Sequence, residues 1–371
     1  MKRSTLHVLS LLICTCIIFS LVPPLSAGAT EISLSAKSAI LIDASDGSVL
    51  FEKNSKEQMG MASTTKIMTA LVVCELLDLD SKVVIPKEAV NVEGSSVYLC
   101  EGEILSVEQL LYALMLSSAN DAAAALAIAA SGSIAAFAHE MNEKAIKLGL
   151  KDTHFVNPHG LYDDMHYTTA YDLALISAEA LRHPTLKNIV SCKKATIPQG
   201  VTAESPEGSS ERYLSNHNKM LGRYDGAIGL KTGFTKKTGR CLVSAAERDG
   251  LTLISVTLNA PDDWNDHTSL LDYGFSAYER ITVWEKGEFN YPFLLCGGKE
   301  DYVLLTNSQS IELTLPKGTY SFEQTVEAHC HFEFAPLKKG TKIAELAVRA
   351  DGKTTRSPLI CVYGAEALHK K

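Results

Sequence analysis

Ser63-Thr64-Thr65-Lys66-Ile67-Met68-Thr69-Ala70-Leu71-Val72-Val73-Cys74-Glu75-Leu76-Leu77 runs without glycine or proline. Ile67, Met68, Leu71, Val72 and Leu76 recur at a spacing that predicts a helix largely buried inside a domain, with Ser63 at or near its start. Upstream, Ala39-Ile40-Leu41-Ile42, a turn at Ser45-Asp46-Gly47 and Val49-Leu50-Phe51 read as a hairpin over residues 38–53. Downstream, Ser106-Val107-Glu108-Gln109 has capping-box form and opens a helix through Leu110, Leu111, Leu114 and Met115 that stops near Ser117. An alanine-rich segment follows over 122–130. Ser133 opens a further helix with Ile134, Phe137, Met141 and Ala145 on one face, and Tyr171 to Leu181 is helical up to Pro184. Leu242 to Ala245 and Leu251 to Leu258 read as strands. Strands at both sequence ends with helices between predict an α/β domain.

Beyond about Gly274 the pattern changes. Short β-type runs, Ile281–Trp284, Tyr302–Leu305, Ile311–Leu315, Lys342–Val348 and Leu359–Tyr363, alternate with Lys-Gly and Asp-Gly turns. Residues 280–365 therefore read as a small all-β domain, and the tail 366–371 as too short for an amphipathic membrane helix. The whole chain has 371 residues, 46% hydrophobic and 21% charged, which excludes disorder and a multi-span membrane protein. Its formal charge of −8 gives no footing for a nucleic acid partner.

Lys2 and Arg3, the apolar stretch Leu6 to Val22, and the small residues Ala27-Gly28-Ala29 have the layout of a secretory signal over 1–29. Its removal would take the charge from −8 to −10. Of nine cysteines, Cys14 and Cys16 would leave with it; the other seven show no C-x-x-C pair and read as mostly buried free thiols.

Three constellations carry chemistry. Ser63 and Lys66 lie three residues apart, one face of a helix, so the lysine reaches the serine hydroxyl; a lysine whose pKa is depressed is a base for that proton. Alone the pattern is weak, and Ser191-Cys192-Lys193-Lys194 matches it as well, but in a segment without helical periodicity and ahead of Pro198. Ser118-Ala119-Asn120, at a break between helices, offers a proton carrier and an amide; its plainer reading is helix capping. Lys231-Thr232-Gly233 offers a cation and a hydroxyl for a carboxylate, with a glycine for close approach, ahead of a strand-like region. Lys237-Thr238-Gly239 repeats the motif but reads as a hairpin turn.

In this order the three motifs resemble those of the penicillin-binding-protein and serine β-lactamase superfamily. The resemblance is closest to low-molecular-mass D-alanyl-D-alanine carboxypeptidases. It extends to Ala62–Ala70, Glu93-Gly94-Ser95-Ser96, Ser118–Ala123, Asn157-Pro158-His159-Gly160-Leu161 and Gly229–Thr235. The resemblance implies a β-lactamase-like catalytic domain over 30–279, an antiparallel sheet with helices, followed by the β domain. It also implies that Ser63 is acylated, Lys66 is its base, Ser118 relays protons, and Asn120 positions Lys66 and the peptide amide. Lys231 and Thr232, with Gly233, would receive the substrate's terminal carboxylate. The backbone N–H groups of Ser63 and Phe234 would form the oxyanion hole. The implied substrates are peptidoglycan stem pentapeptides and the implied covalent inhibitors β-lactams, with no cofactor. Met61 and Ala119 depart from the family's usual proline and glycine, and the tail lacks the amphipathic anchor many members carry, which leaves membrane attachment open.

Other chemistries have less behind them. His154, His159, Asp163, Asp164 and His166 cluster in sequence as in zinc peptidases of similar specificity, but without H-E-x-x-H spacing; His159 and Asn157 read more plainly as shaping a loop beside the site. A β-lactamase would want a Glu-x-x-Leu-Asn segment between the second and third motifs, and there is none. A cell-wall binding module with a decayed site would have no use for all three motifs.

Overall fold

The predicted hairpin forms as β1 (Ser38–Asp43) and β2 (Val49–Lys53) in a computed structural model that describes residues 32–318 and 321–368. The expected signal, residues 1–29, lies outside the described residues. A 3-10 turn over Ala62–Thr65 leads into α1 (Lys66–Leu76), buried from Lys66 through Val73. β3 (Lys82–Val84) pairs with β4 (Ile104–Ser106), and Ser106 then caps α2 (Val107–Leu116) with both hydrogen bonds of the capping box. α3 (Asn120–Ser131) and α4 (Ile134–Lys147) follow, the latter capped by the Ser133 hydroxyl. α5 (Ala170–Arg182) ends as the sequence predicts, but Pro184 opens another helix, α6 (Pro184–Ser191). Proline at the first helical position lacks only an N–H that would have had no partner there, so it starts a helix as readily as it stops one. β5 (Lys194–Gln199) and β6 (Ser210–Ser215) pair, and a single turn, α7 (Met220–Arg223), leads into the rest of the sheet.

That sheet is completed by β7 (Ala227–Thr235), β8 (Gly239–Arg248) and β9 (Leu251–Leu258), in the antiparallel order β2-β1-β9-β8-β7. The first and last strands of the domain meet at β1 and β9. Because side chains alternate across a strand, Ile40, Ile42, Ile254 and Val256 face the main helical core. Leu41 and Leu253 point to the other side, under α8 (Asp263–Ala277). A Cβ at Gly274 of α8 would stand 2.5 Å from Leu253 and 2.8 Å from Leu41, so glycine lets this helix lie close on the sheet. Both faces are covered, which is why β1 reads as a continuous apolar run over Ala39–Ile42, while the buried Ser255 and Thr257 hydroxyls of β9 bond the His267 ring. The helical core closes around Leu110, Leu111, Leu114, Phe137 and Met141, all 0% exposed.

The remaining strands build two further sheets. β10 (Tyr278–Trp284) pairs with β13 (Ile311–Pro316), while β11 (Asn290–Cys296), β12 (Tyr302–Asn307), β14 (Glu323–Ala328), β15 (Phe332–Phe334), β16 (Lys342–Ala350) and β17 (Lys353–Cys361) form a sheet of order β14-β16-β17-β12-β11-β15. Phe293, Val303, Leu305, Leu346, Val348 and Leu359 make its own core. β11, β14 and β15 were not expected; β14 and β15 are short and mostly exposed, so they lack the apolar alternation that marks a strand. Nor is residue 366 onward a free tail at first, since Ala367 bridges to Gly298 and Leu368 N–H bonds Gly297 O. Arg280 ties the two parts together through Asp43 at 3.3 Å and Ser45 Oγ at 2.7 Å.

The cysteines depart from expectation. The described thiols are free, but only Cys241 and Cys361 are buried, and Cys100, Cys296 and Cys330 are exposed. Cys296 shows why: it alternates with buried Leu295 on β11 and so points outward.

Candidate active site

The turn before α1 carries Ser63, and its geometry is set by Ala62, which adopts φ +48, a left-handed conformation costly for a residue with a side chain. The chain enters the helix at Lys66, which lies one turn on from Ser63 and is wholly buried. Its Nζ lies 3.0 Å from Ser63 Oγ, 2.7 Å from Asn120 Oδ1 and 2.6 Å from the carbonyl of His159. Burial holds the Lys66 pKa well below its ordinary value; the charge of Lys231 lowers it further, and Asp121 opposes. As a neutral amine, Lys66 would donate to Asn120 and His159 and keep its lone pair for the Ser63 proton. The arrangement is that of a serine with its base attached.

Each partner is itself fixed. Asn120 is the first residue of α3, whose N-cap is Ala119 with no side-chain cap, so the capping role is not what Ser118 and Asn120 do. The Asn120 amide also donates to Glu93 O, and its backbone N–H bonds Ser95 O at 2.7 Å. Gly94, at φ +95, makes room, since a Cβ there would come within 2.8 Å of Asn120 Nδ2. Asp121, 1% exposed, accepts from Ser96 Oγ and from the N–H groups of Val97 and Leu99. The same loop is held from outside by Arg212, which bonds Val97 O and Tyr98 O and forks onto buried Glu103 at 2.6 and 2.8 Å. Burial, the largest influence, pushes the Glu103 carboxyl up, but the Arg212 hydrogen bonds, the N–H groups of Cys100 and Gly200 and the Arg212 charge together hold the group below its ordinary value.

His159 lies in the loop Asn157-Pro158-His159-Gly160-Leu161, as its plainer reading predicts. Asn157 Oδ1 accepts from Gly160 N–H at 2.7 Å, and Thr69 of α1 donates to Pro158 O at 2.6 Å. Gly160, at φ +86, presses against the nucleophile turn; a Cβ there would sit 1.9 Å from Ala62 O. The histidines of the metal alternative spend ring nitrogens on protein groups: His154 on Met165 O, His159 on Leu161 N–H, His166 on Val156 N–H and Thr65.

The third motif lies on β7 itself rather than ahead of a strand. Lys231, 1% exposed, donates to Thr232 O at 2.9 Å, and burial pushes its pKa from 10.5 down to about 7. Gly233 brings the strand against the turn: a Cβ there would meet Met61 O, Ser63 N and Thr64 N, each at 3.0 Å. Phe234 is 63% exposed. Ser63, Ser95, Ser118, Thr232, Gly233 and Phe234 line one cleft of about 340 Å³, with Ser118 at φ +60. All the predicted site residues thus gather at this cleft or directly behind it. The competing motifs do not. Ser191 ends α6 with its hydroxyl on Asn188 O, Lys194 begins β5, and Lys237 lies in the β7–β8 turn.

The sequence reading missed the far wall of the cleft, His217, Lys219, Arg240, Asp263 and Trp264. Arg240 bonds Asp263 at 2.9 Å and lies over the Trp264 ring. Nothing local marks these residues; the pairing of β7 with β8 sets Arg240 opposite Phe234, and Asp263 and Trp264 join through Arg240.

Comparison with known proteins places this geometry. The D-alanyl-D-alanine carboxypeptidase family, peptidase S11, matches over residues 25–262. The Bacillus subtilis D-alanyl-D-alanine carboxypeptidase DacF is 32% identical over 333 residues, 87% of this chain and 84% of that protein. Penicillin binding protein 5 from Haemophilus influenzae superposes with a TM-score of 0.76 at 28% identity, covering 91% of this chain and 100% of that one. The Streptomyces K15 DD-transpeptidase superposes with a TM-score of 0.63 at 34% identity over 67% of this chain and 99% of its own. With its serine, lysine and asparagine in one hydrogen-bonded cluster beside a Lys-Thr-Gly strand, the chain belongs to the D-alanyl-D-alanine carboxypeptidase family.

Proposed function

We propose that this protein is a serine-type D-alanyl-D-alanine carboxypeptidase that removes the terminal D-alanine from peptidoglycan stem pentapeptides. The observation that carries the reading is the fully buried Lys66, 3.0 Å from Ser63 Oγ and anchored by Asn120 and the His159 carbonyl. Lys66 Nζ takes the Ser63 proton as Oγ bonds to the penultimate D-alanine carbonyl carbon. The resulting oxyanion is received by the N–H groups of Ser63 and Phe234. Collapse breaks the peptide bond, and Ser118 relays the proton held on Lys66 to the departing D-alanine nitrogen, which leaves Lys66 neutral again. Water then attacks the ester, giving the shortened acid and regenerating Ser63. Asn120 orients the peptide amide, while Lys231, Thr232 and Gly233 hold the terminal carboxylate.

A β-lactam offers a strained amide in place of the scissile bond and acylates Ser63 likewise. No cofactor enters this scheme. Peptidoglycan is met outside the cytoplasmic membrane, so the protein acts after export, on the wall side, released or held at the membrane surface. Transfer of the acyl group to an amine is the second reading, favoured by the likeness to the Streptomyces K15 DD-transpeptidase.

Incubating the purified protein with a stem pentapeptide, with and without an amine acceptor, tests both. Free D-alanine with the tetrapeptide as sole product supports hydrolysis. D-alanine release with acyl transfer to the amine as the main outcome supports the second reading. No D-alanine from folded protein contradicts both.

A further inference from the structure

Behind the nucleophile turn lies a buried hydrogen-bond chain that none of the reaction steps uses. His166 is 3% exposed, packed edge-on against the Phe155 ring, at the end of the loop that begins with His154. Its Nδ1 faces the backbone N–H of Val156 at 3.1 Å, and an N–H can only donate, so Nδ1 carries the lone pair and Nε2 carries the hydrogen. Nε2 lies 2.8 Å from Thr65 Oγ1, which must then accept from it and give its own hydrogen to Ala62 O at 2.7 Å. Every donor and acceptor in the chain is thereby assigned.

The chain ends on the carbonyl of Ala62, the residue in the left-handed conformation directly before Ser63. Such a backbone persists only where its surroundings over-determine it. Here Gly160 packs against that carbonyl from one side and Thr65 binds it from another. Burial, the largest influence, keeps His166 neutral by pushing its pKa down to about 4; Asp163 opposes, and His154 and Lys66 add to the lowering. A neutral imidazole is the form the chain requires.

We propose that His166 is a positioning residue for the reaction, acting through Thr65 on the Ala62 carbonyl to hold the turn that aims Ser63 Oγ at Lys66. The inference rests on Ser63 being the acylated residue. It concerns orientation, so its loss slows acylation and leaves binding of the substrate carboxylate, on the other side of the cleft, as it was.

The test is a double-mutant cycle on the rate of Ser63 acylation by benzylpenicillin, with His166→Ala, Thr65→Val and the pair. Displacing a reacting atom by about 1 Å costs about 100-fold, so each single variant is expected to slow acylation about 10- to 100-fold, and the double variant no more than the worse single. His166→Gln, which keeps one acceptor and one donor, and Thr65→Ser, which keeps the hydroxyl, should stay within about threefold of wild type. With pentapeptide, kcat falls while KM stays within about twofold. Losses that multiply in the double variant, or a Thr65→Val protein as fast as wild type, would overturn the proposal. If His166→Ala does not fold, the contrast between Thr65→Val and Thr65→Ser decides alone. Nitrogen-15 shifts of the His166 ring give a readout independent of activity. A neutral ring protonated on Nε2 is expected, and protonation on Nδ1 refutes the chain. Wild-type protein that fails to label at Ser63 while its ring shows the expected tautomer would count against the reading of Ser63, not against the chain.

Discussion

Replacing Lys231 by methionine should make the protein more stable and nearly inactive, with a gain that depends on pH in a calculable way. Lys231 is 1% exposed, and burial alone brings its pKa from 10.5 to about 7. Between those values the unfolded chain holds the proton and the folded chain does not, so wild-type stability rises with pH across that window. At 1.36 kcal/mol per unit, the charge penalises the folded state by about 5 kcal/mol at pH 6 and about 2 kcal/mol at pH 9. Methionine removes the charge, keeps most of the volume, and forfeits the hydrogen bond to Thr232 O, worth about 1–2 kcal/mol. Lys231→Met should therefore be more stable than wild type by about 3 kcal/mol at pH 6, and the gap should narrow by about 2–3 kcal/mol at pH 9. Relief of the repulsion on Lys66 acts in the same direction. Urea unfolding of both proteins at the two pH values measures the gap directly. A variant less stable than wild type at pH 6, or a gap that does not change with pH, would refute the reasoning. The strained cation would then not be what the fold gives up to read a carboxylate.

Other perturbations probe the same site from different sides. Gly233→Ala puts a methyl 3.0 Å from Met61 O, Ser63 N and Thr64 N, so β7 must back away from the turn and penicillin acylation should fall about 10- to 100-fold with the fold retained by circular dichroism; an unchanged rate contradicts the contact. Asn120→Ala frees Lys66 from its 2.7 Å anchor and should lower kcat about 100-fold, measured as D-alanine release. Arg212→Ala strands the Glu103 carboxylate in the interior and should cost about 3–5 kcal/mol in urea unfolding at pH 7, most of it recovered when Glu103→Leu is added and Arg212 is made methionine. Because Glu103 is held below its ordinary value, the wild-type pair stabilises fully above pH ~4.5 and is lost as pH falls through the depressed value, so the variant's acid limb should be flatter.

What the sequence disclosed and what it hid follow from range. The Ser106 cap, the Ser133 cap and the period of α1 are local, and local signals placed them. Ser63, Lys66, Ser118, Asn120 and the Lys-Thr-Gly strand were legible because each is a short motif whose members share a turn or a strand. The His159 carbonyl was not, since a backbone acceptor carries no residue-type signature, although the Asn157–Leu161 loop that presents it was marked as lying beside the site. The Arg240–Asp263 wall depends on strand register, and the Arg212–Glu103 pair joins residues 109 positions apart. His166 was noticed for the wrong chemistry: its sequence neighbours suggested a metal, whereas its ring nitrogens bond Val156 and Thr65. α6 was hidden by reading Pro184 only as a stop.

The central claim is that Ser63, activated by Lys66, becomes covalently acylated. Intact-mass spectrometry after incubation with benzylpenicillin, followed by peptide mapping, tests it most directly. Wild type should gain one penicilloyl group on Ser63, and Ser63→Ala, folded, should gain none. Equal labelling of the two proteins, or an adduct mapped to Ser118 or Ser191, would contradict the account.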